Sequence, residues 1–417
     1  MKNALLFCFL FLYILSPTFS VIPIQSSVLV LLPLFALNFL KGGFLKLDRK
    51  ILIILFFLLF FAFYAGLIKS ILYEYSAESD EYVFSKMLAN NFIYLIAGVS
   101  LGAAYKADDG FISIMKFTVF AVALNSFLII LSFFIVDFRD VLESIMAENA
   151  ASNIDYSEGF RLRGLAAGGG FALAAMTIIG SICLVLINFR GKIGTKTSFL
   201  LFIVFIVSQI FVARTGLIFT FVIFSFWLLY SLLLGKQKKD IIFSISFFIL
   251  VSFFVFSYLY SSFQEQLSKV LPWAFELFNN LLSGNGLHTK SSDDLMTMFN
   301  VPSDLFKIIF GFGFYESSVD FRSDSGYVKS LYSVGVFGVV IYLFHVFMML
   351  IYLPKKFPNF SIFFYVLLFF VLLMEIKGPI LYQNYTARFI FLLYGLSFSL
   401  CKNVAHEKSF PSYTFSR

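Results

Sequence analysis

The chain has 417 residues, of which 60% are hydrophobic and 13% charged, and its formal net charge is +7. With a mean hydropathy of +0.91, it cannot be a soluble globular protein, in which about half of the residues are apolar. The basic residues are scattered between apolar runs rather than gathered on one face, so the charge reports membrane topology and gives no sign of a nucleic-acid partner.

A bilayer core about 30 Å thick takes roughly 20 apolar residues per helix, and every backbone polar group inside it needs an internal partner. The apolar runs therefore predict an all-α polytopic membrane protein of about twelve spans, forming one membrane domain over 1–417. The first two spans, Asn3 to Ser16 and Ser26 to Leu40, are separated by Pro17 and Pro23. The N-terminal run has the outline of a signal peptide but no small-residue cleavage site follows it, so it is read as a span.

Spans three to five cover Ile51 to Ile71, Met87 to Tyr105 and Phe111 to Val136. A polar loop, 137–164, ends in Phe160-Arg161-Leu162-Arg163-Gly164 and precedes a sixth span that reaches Phe189. The apolar run from Ser198 to Leu234 is too long for one helix, and Arg214-Thr215-Gly216 near its middle predicts a helical hairpin turning there. A ninth span, Ile241 to Tyr260, leads into a large loop, 261–330. Leu331 to Leu353, Phe360 to Met374 and Phe389 to Leu400 complete the set.

The short turns carrying Lys41, Lys46, Arg49, Lys50, Arg190, Lys192, Lys196, Lys236, Lys238, Lys239, Lys355 and Lys356 contain almost no acids. The positive-inside rule then places both termini in the cytoplasm. The acidic segments around Glu74, Asp155 and Asp293 fall on the opposite side, as do the loops 137–164 and 261–330.

Several function classes drop out at this point. The cytoplasmic turns are too short for a nucleotide-binding domain, and none holds a glycine-rich phosphate loop, which argues against an ATP-driven pump. Asp108 and Asp109 beside Gly110 read as a solvated turn. Cys8, Cys183 and Cys401 lie in apolar runs and form neither a disulfide framework nor a metal-ligand spacing, so no metal is expected. His288 reads as a solvated loop side chain, and His345 as either a packed residue or one that hydrogen-bonds between helices, rather than a ligand.

Three places remain. Arg214 interrupts an apolar run at an insertion cost of about 2.5 to 3.5 kcal/mol if it lay at mid-membrane. It either snorkels at the outer interface or binds an anion at the mouth of a cavity. Arg161 and Arg163 stand on an otherwise acidic side. Their guanidinium forks match phosphate oxygens, and the alternative is pairing with Asp155 or Glu158. In the stretch from Leu305 to Phe337, Gly311 and Gly313 permit a tight turn or close approach of a substrate. They precede Glu316, Asp320, Arg322 and Asp324, and then Ser325-Gly326-Tyr327 opens a helix. A carboxylate such as Asp324 at a helix entry acts as a cap or as a general base.

The segment IIFGFGFYESS, followed by SDSGYVKSLYSVGVFGVVIYL, closely resembles the corresponding region of bacterial O-antigen polymerases, the Wzy class, and more distantly that of O-antigen ligases. ARTGL, Ala213 to Leu217, resembles a second signature of that family, and the layout of spans and large loop is similar over the whole chain. The ligases have a histidine just before the last outer motif, where this chain has Asp324 in DSGYV. Some polymerases carry a glycine eleven residues after an arginine in each large outer loop. Here Arg161 and Arg322 are followed at that distance by Ala172 and Ser333.

The resemblance implies a multi-pass enzyme of the bacterial inner membrane with a fold like that of the GT-C membrane glycosyltransferases. It would join oligosaccharide repeat units carried on undecaprenyl pyrophosphate at the periplasmic face, with the lipid pyrophosphate as leaving group and no cofactor, metal or nucleotide sugar. Asp324 and Arg214 would be catalytic. Arg161, Arg163, Arg322, Arg388, Glu316, Tyr327, Gly311 and Gly313 would bind pyrophosphate or glycan. Membrane lipids and a chain-length regulator would be further partners. An O-antigen ligase and a flippase for lipid-linked oligosaccharides are the alternatives, although no repeat relates the two halves as in many transporters.

Overall fold

The computed structural model describes residues 2–22, 24–32, 49–71, 82–103, 107–147, 161–233, 238–239, 242–243, 245–246, 261–284, 286, 289–299, 301–302, 304–311, 313 and 323–399. Among them the chain is helical, with only isolated bridges at Phe19. The principal helices are α1 (Lys2–Leu15), α2 (Arg49–Ile71), α3 (Val83–Ala103), α4 (Ala107–Phe134), α5 (Val136–Ile145), α6 (Gly170–Phe189), α7 (Thr195–Ile210) and α8 (Arg214–Leu233). They continue with α9 (Gln264–Ala274), α10 (Glu276–Leu282), α11 (Lys290–Thr297), α12 (Leu305–Phe310), α13 (Gly326–Val334), α14 (Gly338–Val346), α15 (Ser361–Glu375) and α16 (Asn384–Ser399).

Seven helical segments among the described residues are long and apolar enough to cross a membrane, and Asn3–Leu15, Thr195–Ile210 and Tyr385–Phe398 are shorter apolar helices. The expected second and ninth spans lie mostly outside the described residues. The expected hairpin does turn at Arg214, with α7 ending at Ile210 and α8 starting at Arg214. Both polar intervals contain more regular structure than the sequence reading gave them. Loop 137–164 begins with α5, whose acids and arginine alternate with apolar residues, and 261–330 contains α9 to α12.

The chain forms two compact units, one made of Met1–Val30 and Ile114–Met296, the other of Leu31–Ser113 and Thr297–Arg417. In the first unit α6, α7 and α8 pack side by side. Their distal end is fastened by Asn188, which donates to the carbonyl of Ile193 at 3.1 Å and to Ser198 Oγ at 3.0 Å, and accepts from Trp227 Nε1 at 3.0 Å. Burying these polar groups inside an apolar bundle is tolerable because each finds a partner. Cys183 is buried against Met115, as a packing residue.

In the second unit α3 and α16 approach until their backbones touch. A side chain at Gly98 would fall on the carbonyl of Leu392, and one at Gly395 on that of Leu95. In a membrane, where hydrophobicity cannot drive helices together, such small-residue contacts supply the van der Waals attraction that does. Phe111 packs into a ring cluster with Phe357, Phe360, Phe363 and Phe364. His345 is fully buried and shares a 2.8 Å hydrogen bond with Tyr394, the interhelical role expected of it.

Candidate functional site

In the first unit the segment carrying Arg161 and Arg163 is stitched to the turn carrying Arg214. The amide of Leu162 donates to the carbonyl of Phe211 at 2.9 Å, three residues before Arg214. From α4, the buried side chain of Asn125 donates to the carbonyl of Arg163 at 3.1 Å and accepts from the amide of Leu165 at 2.8 Å. Gly164, at φ +60°, leaves room for it, since a side chain there would meet Asn125 Oδ1 at 2.7 Å.

The arginines in this cluster are differently placed. Arg163 is 3% exposed, and its guanidinium is gripped by both carboxylate oxygens of Glu143 on α5, with Nε at 3.2 Å from Oε1 and Nη2 on Oε2. Its partner is therefore Glu143, whereas Asp155 and Glu158 lie outside the described residues. Arg161, two residues earlier, is exposed and held at φ +58°, a region that non-glycine residues rarely enter. The positive φ at Arg161 and the hold of Asn125 on Arg163 leave one arginine exposed and the other buried.

Arg214 is half-buried at the start of α8. Its Nη1 pairs with Glu276 Oε2, and the guanidinium lies 5.2 Å from the centre of the Trp273 ring. Both partners come from the large loop, at the junction of α9 and α10, so that loop closes over the arginine rather than leaving it to snorkel. The carboxylate of Glu276 also accepts the amide of Lys290 at 2.9 Å, which fixes the start of α11. Through the bond from Leu162 to Phe211, the segment carrying Arg161 runs beside the turn carrying Arg214, which brings two positive side chains onto neighbouring segments. Glu276 is an anion beside one of these charges and offsets part of the cost of holding them there.

Behind Arg214, Gln209 at the end of α7 is 1% exposed, and neither atom of its amide has a hydrogen-bond partner among the described residues. It lies against Gly216, where a side chain would collide with Oε1 of Gln209 and meet Ala174 Cβ on α6 at 2.8 Å. The first turns of α6 and α8 thus lie together, and the amino-terminal ends of two parallel helices share one end of the bundle. Helix amino termini carry unsatisfied N–H groups and partial positive charge, which adds to the pull of the arginines on an anion.

In the second unit, Gly311 and Gly313 are enclosed by protein. Gly311, at φ +82°, lies against the backbone of Val334 and Gly335, and Gly313, at φ +73°, against the backbone of Lys69 on α2. Their freedom serves the packing of the α12 end onto the break between α13 and α14, and neither adjoins open space. Glu316, Asp320 and Arg322 lie outside the described residues, as does His288.

Asp324 is exposed and has no polar partner among the described residues. It does not cap α13, because Ser325 occupies the cap position and neither side chain accepts a helix amide. Of the two roles open to it, the described residues do not show the cap. Tyr327 is tied down, its hydroxyl donating to the carbonyl of Leu372 at 2.8 Å. Arg388 is 4% exposed, with its guanidinium 5.7 Å from the ring centres of both Tyr94 and Tyr385 and Nε 3.4 Å from Tyr94 Oη.

The sequence reading singled out neither Asn125, Glu143, Gln209 and Glu276 nor the buried Glu375 described below. A polar residue isolated in an apolar run was the available signal for Asn125, Gln209 and Glu375. The pairing of Glu143 and Glu276 depends on tertiary structure alone.

These helices and their buried polar clamps define an all-helical, multi-pass membrane protein. No protein-family model, curated protein or solved structure matches the chain.

Proposed function

We propose that the chain is a membrane glycosyltransferase that polymerises oligosaccharide repeat units carried on undecaprenyl pyrophosphate. In this reading it has about twelve spans, with both termini cytoplasmic and a fold like that of the GT-C enzymes. It works in the bacterial inner membrane, and the ends carrying Arg214 and Asp324 face the periplasm. The observation that carries the reading is the stitching of the segment carrying Arg161 and Arg163 to the turn carrying Arg214 at the amino-terminal end of α8, with Trp273 of the large loop stacked on Arg214.

The chemistry asks for two things. As the bond between the anomeric carbon and the lipid pyrophosphate breaks, negative charge grows on the departing phosphate oxygen, and fixed guanidinium groups aimed there lower the barrier. Arg161 and Arg214 take that role, and Arg163 sets the position of Arg161 through its grip on Glu143. The attacking sugar hydroxyl must lose a proton, and Asp324, whose side chain is exposed, accepts it. The pyrophosphate is its own activated leaving group, so the reaction needs no nucleotide sugar.

Deleting the gene in a bacterium that makes a polymerised surface glycan, and resolving the lipopolysaccharide on a gel, tests the reading. Core bearing a single repeat unit is expected. Bare core with lipid-linked units accumulated outside would indicate a ligase instead, and units trapped inside would indicate a flippase.

A further inference from the structure

Glu375 closes α15, whose preceding residues, SIFFYVLLFFVLLM, carry no charge. It is fully buried. A carboxylate there is expensive unless donors surround it, and intramembrane acids are usually retained for a task. Donors do surround it. The amides of Ile380 and Leu381 donate to Oε2 at 2.8 and 3.1 Å, and Tyr342 Oη lies 3.1 Å from Oε1.

The other side of this carboxylate faces Gly326, the first residue of α13. A side chain at Gly326 would coincide with Glu375 Oε1, so the glycine of Ser325-Gly326-Tyr327 exists to admit the carboxylate. The carboxyl group then sits at the amino-terminal end of α13, the end at which the helix dipole favours an acidic group. The carbonyl of Gly326 is held as well, by Tyr382 Oη at 3.0 Å and with Tyr342 Oη at 3.1 Å. Ser330, one turn on, hydrogen-bonds to both tyrosines.

The hydroxyl protons can be assigned consistently. Tyr382 donates to the Gly326 carbonyl, Tyr342 donates to Glu375, and Ser330 donates to one of the two tyrosine oxygens. In that arrangement each of these hydroxyls has both a donor and an acceptor role to fill, and the two carboxyl oxygens are each held by the cluster. The network joins α13, α14, the end of α15 and the segment before α16 around one backbone residue.

Two residues upstream of that clamped glycine stands Asp324. Ser323 and Ser325 on either side are fully buried, whereas Asp324 is exposed. The direction of its side chain is therefore set by where the start of α13 is fixed. We infer that Glu375 is a positioning residue that fixes the amino-terminal turn of α13 from within and thereby presents the Asp324 carboxylate. Glu375 touches no substrate. Its catalytic consequence rests on the role proposed above for Asp324, but its effect on the presentation of position 324 does not.

The test uses the full chain in native membranes, with Cys8, Cys183 and Cys401 replaced by serine or alanine. A single reporter is introduced as Asp324→Cys, or as Ser268→Cys on exposed α9 for control, and its reaction rate with a membrane-impermeant maleimide is measured. Adding Glu375→Gln, which removes the charge and keeps the shape, or Tyr342→Phe, which removes one donor, is expected to change the rate at 324 by about threefold or more and leave 268 unchanged. Separately, Glu375→Gln with Asp324 intact should lower kcat of chain growth by roughly tenfold at an unaltered KM. An unchanged rate at 324 overturns the inference, and so does an equal change at both positions, which marks a general loss of structure. If no form of the chain makes polymer, the proposed function fails while the labelling rates still decide the role of Glu375.

Discussion

Arg214 and Glu276 form an ion pair that joins the turn between α7 and α8 to the large loop, with Trp273 stacked on the same guanidinium. The carboxylate oxygen on Nη1 occupies a place on the arginine that a phosphate oxygen would take, while the other carboxylate oxygen accepts the amide of Lys290. Arg214→Ala should therefore lower the rate of chain growth by about 10² to 10³ at unchanged protein level, the usual cost of losing one charge-stabilising group. Arg214→Lys should recover only a part of it, because an ammonium cannot form the fork. Wild-type ladders on a lipopolysaccharide gel from Arg214→Ala would remove this residue from the mechanism.

Trp227 and Trp273 are the chain's only tryptophans, so Trp227→Phe leaves an indole that reports on Arg214 alone. Adding a polyprenyl pyrophosphate to that variant in detergent should shift the emission of Trp273 as the anion competes with Glu276. Glu276→Gln should bind the same lipid more tightly, by about 5-fold to 20-fold, since a neutral amide competes less well for the arginine. Equal affinity in both forms would separate the ion pair from ligand binding.

Glu143 matters in a different way. Removing it leaves Arg163, almost fully buried, without the carboxylate that grips it, and Glu143→Ala should cost about 2 kcal/mol of stability. The thermal melting temperature in detergent should fall accordingly. Replacing both residues, as Arg163→Met with Glu143→Leu, should restore much of it, because a buried pair exchanged for apolar groups costs little.

Asp324→Asn keeps the size of the side chain and removes its capacity to accept a proton. Chain growth should drop by about 10² to 10⁴, with the melting temperature unchanged because the carboxylate is exposed and has no polar partner among the described residues. A loss of both activity and stability would instead place Asp324 in the fold.

The spans were legible because their signal is repeated over many residues. The run from Ser198 to Leu234 could be cut at Arg214 by length and charge alone, and α7 and α8 flank that point. Helices within the polar intervals were less visible, since α5 and α9 rest on amphipathic patterns of only 10 and 11 residues. Arg161, Arg163 and Arg214 stood out individually as charges against the topological trend. That Arg163 turns inward to Glu143 while Arg161 turns outward depends on one positive φ and on Asn125, and neither has a sequence signature. The role of Gly311 and Gly313 was readable only as far as a tight turn. Their enclosure by Gly335 and Lys69 is a property of packing that spacing does not encode.

The central claim is that this chain joins lipid-linked repeat units using nothing but the bond between each sugar and its lipid pyrophosphate. Purified protein in liposomes, supplied with an undecaprenyl-pyrophosphate-linked repeat unit and with neither nucleotide sugar nor ATP, tests it most directly. The account predicts a ladder of lipid-linked oligomers, with one undecaprenyl pyrophosphate released for each unit added. Repeat units that stay single, or that move only onto an added lipid A core, would contradict it.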